Sequence, residues 1–312
     1  MNRRHFHRLL LGLPGLVVLG VDSRAAAAPK TSPSLLPIVD THAHIFERRL
    51  PMVAGRRYSP DYDATLSDYL KQLDAHGTSH GVLVQPSFLG TDNSYLVAAL
   101  KAEPKRLRGI IVVEPAIPGE KLSEFAATGV VGIRLNLVGT ELPDLRKGAW
   151  PAFLGRIQQL NWLVEVQRDA KDLPQIVAPL IEAGVNIVVD HFGRPDPTIG
   201  TEDPGFRYLL SVAPTRRVWM KLSGSYRNGA NGRGEVIADT TVPLLLNAFG
   251  ASRLLWGSDW PHTQFERVTN YGAARAQLDR WITSPAARSA ILRTTPAALY
   301  NFQLENAGSA AR

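Results

Sequence analysis

The sequence predicts an α/β fold, a single (β/α)8 barrel, on three observations. Short apolar runs alternate with segments of helical spacing along most of the 312 residues; the runs number eight; and several end in a polar residue of a type used in chemistry. The length is generous for one domain, yet a barrel of this architecture holds about 250 residues. A doubly wound open sheet is the competing fold. It would require a glycine-rich phosphate loop after the first strand, and His42-Ala43-His44-Ile45-Phe46 does not supply one.

Leu35, Leu36, Ile38 and Val39 read as the first buried strand, which places His42 and His44 at its C-terminal end. Side chains two apart on a strand share a face, so both imidazoles project the same way. Residues 46–63 form a polar loop containing Pro and Arg, long enough to cover a site, with Tyr58 inside it. Residues 65–76 then set Leu66, Tyr69, Leu70 and Leu73 on one helical face and are stopped by Gly77. Residues 81–85 are the second strand, followed by Ser87, a turn at Gly90-Thr91-Asp92-Asn93 and a helix over 94–101. Strands three to eight fall at 109–114, 130–137, 163–167, 186–191, 218–222 and 253–259, with helices over 120–127, 150–160, 173–183, 206–212 and 235–249 between them. From Tyr300 onward the Ala-, Asn- and Gly-containing stretch reads as a frayed tail, the barrel domain being set at 29–303 and the flexible tail at 304–312.

The N-terminus reads as an export signal over residues 1–28. Arg3-Arg4-His5-Phe6 precedes an apolar run from Leu9 to Val21 and four alanines, a twin-arginine-like pattern that implies a periplasmic or secreted protein, with a Sec signal or an uncleaved anchor as the alternative reading. The apolar run is too short to span a bilayer comfortably, so no stable membrane insertion of the mature chain is expected. The formal charge is +7, but Arg3, Arg4, Arg8 and Arg24 against Asp22 place much of it in that leader. No Lys/Arg run or nucleic-acid module accompanies the remainder, so no nucleic-acid partner is expected and a small anionic substrate fits the excess. The chain has no cysteine, which removes disulfides and thiolate metal ligands.

In a parallel barrel the C-terminal strand ends meet on one face. His42, His44, Ser87, Arg134, Gln167, His191, Lys221 and Asp259 then surround one pocket. A core would not gather three imidazoles, an arginine and a carboxylate at matching positions, because unpaired buried charges cost several kcal/mol. Lys221 and Gln167 serve equally as supports for their neighbours, and His262, just past the eighth strand, as a rim or solvent-facing residue. The first two histidines, His191 and Asp259 could hold one divalent ion, zinc before others, or work without one.

Val39-Asp40-Thr41-His42-Ala43-His44, Gly132-Ile133-Arg134, Val189-Asp190-His191-Phe192-Gly193-Arg194-Pro195 and Leu255-Trp256-Gly257-Ser258-Asp259-Trp260-Pro261-His262 resemble the amidohydrolase-related family of metal-dependent-hydrolase-like barrels. Within it, Gly90-Thr91-Asp92-Asn93, Tyr58-Ser59-Pro60 and residues 221–227 are most similar to the lactonases that open 2-pyrone-4,6-dicarboxylate. The resemblance implies that Asp259 is the general base, that His42, His44 and His191 polarise the lactone carbonyl, and that Arg134 and Arg227 bind a carboxylate with Ser87, Tyr58 and Arg194 assisting. It also implies a further arginine just after the fourth strand, where this chain has Val138-Gly139-Thr140, so one anionic contact is expected to be missing. The reaction class is hydrolysis of a small anionic lactone or ester. A metal-dependent decarboxylase of the same barrel would be expected to bring a further His from strand five, and none stands between Trp162 and Asp172. A non-catalytic periplasmic anion-binding protein would have no use for Asp259 beside three imidazoles.

Overall fold

The computed structural model describes residues 38–302; the expected leader over 1–28 and tail over 304–312 lie outside the described residues. Eight parallel strands are hydrogen-bonded in chain order: β1 (Val39–Ala43), β2 (His80–Val84), β3 (Leu107–Ile111), β4 (Val130–Asn136), β5 (Leu163–Gln167), β6 (Asn186–Val189), β7 (Val218–Leu222) and β8 (Leu254–Trp256). Parallel neighbours cannot be joined by a hairpin, so each step carries a crossover helix. These are α1 (Leu66–Ala75), α2 (Ser94–Ala102), α3 (Gly119–Ala127), α4 (Trp150–Gln159), α5 (Leu173–Glu182), α6 (Pro204–Val212) and α7 (Arg233–Phe249). The start of α1 shows the local logic. Thr65 accepts from the Asp68 backbone N–H while the Asp68 carboxylate returns to the Thr65 N–H, satisfying two orphan donors at once. After β8 come α8 (Tyr271–Trp281) and short helices at Pro285–Ser289 and Thr295–Leu299, a stretch left unassigned from sequence. None of the described helices is long and apolar enough to cross a membrane.

The barrel interior is stratified. Val39, Val82, Ile110, Leu163, Val188 and Leu255 form one apolar cluster, and Tyr300 and Phe302 pack against it. The frayed tail therefore does not begin at Tyr300, which is fully buried; the two large aromatic rings outweigh the small polar residues around them. Because strand side chains alternate, Glu165 and Gln167 share the inward face of Leu163, and polar groups replace apolar ones toward the C-terminal end. The larger apolar cluster fills the space between strands and helices.

Strands β1 and β8 meet without a regular ladder. The seam is closed at its upper end by Asp259 N–H to His42 O and His44 N–H to Trp260 O, both 2.8 Å. Asp40 reinforces it, accepting from the Ser258 N–H at 2.8 Å and the Ser258 hydroxyl at 2.6 Å. At Gly257 a Cβ would lie 2.5 Å from that of His42, so only glycine allows this approach. Two strand ends differ from expectation: His191 and Asp259 lie beyond β6 and β8, in turns with φ +49° and +61°. Leaving the ladder is what swings both side chains inward over the barrel mouth.

Candidate active site

The strand ends open on a cavity of about 190 Å³, lined by His44, Ser87, Arg134, Gln167, His191 and Asp259, with Tyr58, Arg194 and Arg227 on its walls. That volume is small for a ligand pocket and suits a compact substrate. All the residues expected to surround the site are brought together, with two qualifications of place. His42 and Lys221 do not line the cavity; both lie fully buried beneath it. His262 is neither rim nor solvent-facing, but buried behind Tyr226 with Nδ1 3.0 Å from the phenol oxygen.

On the floor, Nε2 of His42 and His44 are 3.2 Å apart, and Asp259 Oδ1 stands 3.7 Å from the first and 3.8 Å from the second. His44 donates Nδ1–H to Val84 O at 2.7 Å, which fixes its tautomer and leaves an Nε2 lone pair. His191 directs Nδ1 to Ser223, 2.9 Å from the hydroxyl, and its Nε2 has no partner. Burial and then the neighbouring His42 hold His44 well below the ordinary imidazole value, and burial brings His191 down to about 3. Both are neutral at physiological pH.

Asp259 is asymmetric. Its Oδ2 accepts from the Tyr226 hydroxyl at 2.7 Å and from Arg227 Nε, whereas buried Oδ1 has no hydrogen-bond partner. Burial alone would raise its pKa, but Arg227 and the three imidazoles overcome that and hold it far below the usual carboxylate range. The carboxylate stays ionised, with one oxygen committed and the other facing the reaction space.

Beneath the floor lies a buried ionic layer. Lys221 Nζ is 2.5 Å from Glu165 Oε2, 3.2 Å from Asp190 Oδ1 and 3.0 Å from His42 Nδ1. Arg134 reaches Gln167 Oε1 at 2.7 Å, Gln85 O at 3.1 Å and Asp190 Oδ2 at 3.3 Å. Glu165 Oε1 and Asp190 Oδ1 approach His42 Nδ1 to 3.3 and 3.4 Å. Burial and the Lys221 charge pull His42 down, yet these two carboxylates outweigh them and its pKa is raised. Such a layer is stable only because each charge has a counterion; removing one leaves another stranded.

Five contributors were not singled out from sequence as site residues. Glu165 stands two residues before Gln167 on one strand face, and Asp190 directly precedes His191, so strand period and adjacency could have found both. Tyr226 adjoins Arg227. Gly224 carries no side chain to signal anything, yet with φ +55° a Cβ there would sit 2.6 Å from Asp259 Oδ2. Arg57, in the loop after β1, also lines the cavity.

Two groups of side chains offer donors to a divalent ion. His42, His44 and Asp259 each offer one atom within 4.8 Å of the others, as do His42, Asp190 and His191. The 3.2–3.8 Å spacing of the first set is near that of ligand atoms placed about 2.0–2.2 Å from one centre. With Asp259 Oδ1 and His191 Nε2 otherwise partnerless, the residues fit one ion. They do not fit two, because Lys221 and Arg134 bring cations to the second cluster.

Comparison with known proteins agrees with this geometry. The family model described as Amidohydrolase matches residues 39–302. A 4-sulfomuconolactone hydrolase of Rhizobium radiobacter is 31% identical over 89% of this chain and 94% of its own. A 2-pyrone-4,6-dicarboxylate hydrolase of Comamonas testosteroni is 32% identical over 72% and 76%. Among solved structures, a "probable 2-pyrone-4,6-dicarboxylic acid hydrolase" from Acinetobacter baumannii with citric acid bound superposes with a TM-score of 0.83 and 39% identity, covering 86% of this chain and 100% of that one. Barrel, strand-end constellation and sequence thus converge: the chain belongs to the amidohydrolase family.

Proposed function

We infer that the protein is a hydrolase that opens the lactone ring of a small substrate bearing anionic groups. One observation carries this reading: an ionised, buried carboxylate oxygen without a partner, Asp259 Oδ1, faces the imidazoles at the floor of an arginine-rich cavity. Its relatives include hydrolases of two different anionic lactones.

Asp259 Oδ1 takes a proton from water, and the hydroxide forms a bond to the lactone carbonyl carbon. His44 offers its Nε2 lone pair to Nε2–H of His42 at 3.2 Å, which orients that ring, and positively biased His42 with the adjoining His191 offsets charge developing on the carbonyl oxygen. The ring C–O bond then breaks, and the departing oxygen receives the proton from Asp259. Arg134 and Arg227 hold a substrate carboxylate or sulfonate, with Ser87, Tyr58 and Arg194 on the cavity walls beside them. A single divalent ion held by His42, His44 and Asp259, with His191 adjoining, would add Lewis-acid polarisation of the carbonyl.

The test is turnover of 2-pyrone-4,6-dicarboxylate and of 4-sulfomuconolactone by the purified protein, followed by loss of the lactone and release of acid. Asp259→Asn should lower kcat by about 10²–10⁴-fold while binding survives. A folded wild-type protein that opens neither lactone would overturn the reading.

A further inference from the structure

Four guanidiniums line the cavity, those of Arg57, Arg134, Arg194 and Arg227, against the single carboxylate of Asp259. Three of them are already engaged. Arg134 is bound by Gln167 and Asp190, Arg194 by Asp169 at 3.0 Å and Arg227 O at 3.1 Å, and Arg227 by Asp259. Arg57 differs: among the described residues it makes no hydrogen bond or ion pair, and its guanidinium carbon stands 5.8 Å from the centroid of the Tyr58 ring.

Its stem, though exposed, runs beside the opposite loop. A Cβ built on Gly139, just past β4, would lie 3.6 Å from Arg57 Cδ, so the arginine stem rests over a residue that has no side chain. The β4 loop itself brings no cation at Val138, Gly139 or Thr140. Partial desolvation, and then the charges of Arg134, Arg194 and Arg227, pull the Arg57 pKa below the ordinary arginine value, against an opposing effect of Tyr58. A guanidinium held near three others without a counterion leaves all five of its N–H donors for a ligand, in a planar fork that matches carboxylate or sulfonate oxygens.

We propose that Arg57, packed over Gly139, is a second anion subsite of this cavity and makes the protein selective for lactones that carry two anionic groups over those that carry one. The proposal rests on the lactonase reading for its substrate and on the unpaired guanidinium for its subsite. On this proposal the β1 loop would supply an anionic contact of the kind that the β4 loop, with Val138-Gly139-Thr140, does not bring.

The experiment compares wild type, Arg57→Ala and Arg57→Lys on 2-pyrone-4,6-dicarboxylate and on the corresponding 2-pyrone monocarboxylate, alongside calorimetric binding of citrate. Arg57→Ala should lower the dicarboxylate-to-monocarboxylate ratio of kcat/KM at least tenfold, through KM and not kcat, and weaken citrate binding by a similar factor. Arg57→Lys, which keeps charge but loses the fork, should fall between. An unchanged ratio, or equal losses on both lactones, overturns the subsite while leaving lactone hydrolysis intact. Absence of turnover by wild type with citrate binding still dependent on Arg57 overturns the lactonase reading and leaves the subsite; citrate binding indifferent to Arg57, or absent from wild type, together with no turnover, overturns both.

Discussion

Tyr226 donates its phenolic hydrogen to Oδ2 of Asp259 across 2.7 Å, and this contact helps decide which oxygen of the carboxylate remains free. With its hydrogen spent there, the phenol oxygen can only accept from Nδ1–H of His262, 3.0 Å away. The two contacts fix the carboxylate plane from the side opposite the substrate. Tyr226→Phe keeps the ring packed on Phe265 but frees Oδ2. A hydrogen bond to a charged group contributes about 1.5–3 kcal/mol, so kcat should fall roughly 10- to 100-fold. KM should stay within about twofold, since the hydroxyl does not line the cavity. A wild-type kcat would show that Arg227 alone suffices.

Gly224 and Gly232 provide a matched pair. Both have positive φ, +55° and +78°, but a Cβ at Gly224 would strike Asp259 Oδ2 and His191 Nδ1 at 2.6 and 3.0 Å, whereas nothing lies within 4 Å at Gly232. Alanine at either position should cost about 1–3 kcal/mol in backbone strain, read from denaturant midpoints. Only Gly224→Ala should also lose most of its turnover. Equal activity in the two variants would mean that Asp259 and His191 tolerate displacement.

How much of this was legible in the sequence follows from what each residue shows locally. Eight apolar runs at barrel spacing are a long-range signal, and each strand was placed within a few residues. Polar strand ends marked His42, His44, Arg134, His191 and Asp259. Arg57 was hidden because a loop has no period, and its guanidinium reaches the cavity only through the path of residues 46–63. Gly224 was hidden because the feature is the atom it lacks. Tyr300 was misread because local composition says nothing about a barrel floor waiting for a ring.

Metal stoichiometry tests the donor set directly. Calorimetric titration of chelator-treated protein with zinc should give one ion per chain, and His44→Ala and Asp259→Asn should each abolish it. Two ions would mean that Lys221 and Arg134 do not exclude the second cluster, and none would show that the ionic contacts of His42 prevent ligation.

Acid should destabilise the fold in a defined window. His191 and His262 are brought down to about 3 and 4, chiefly by burial, and His44 is also depressed. In the unfolded chain each binds a proton near pH 6.5, while the folded chain excludes it, so stability falls as pH drops below about 6.5. The loss is up to about 1.4 kcal/mol per pH unit for each group. His42, with its raised value, acts in the opposite sense: its share is present below 6.5 and is lost as pH rises through its folded pKa. Urea midpoints between pH 6.5 and 4.5 should decline, and His262→Gln should reduce the slope; a flat profile contradicts neutral buried imidazoles.

The seam between β1 and β8 has a consequence for synthesis. The two histidines come from the start of the barrel and the Asp259 carboxylate from the turn just past its last strand, and Asp259 N–H to His42 O is one of the bonds that join them. A nascent chain can build seven strands and still possess no catalytic centre. Competence arrives only when residue 259 has been made and docked, so the chain stays inert until more than four fifths of it has been translated.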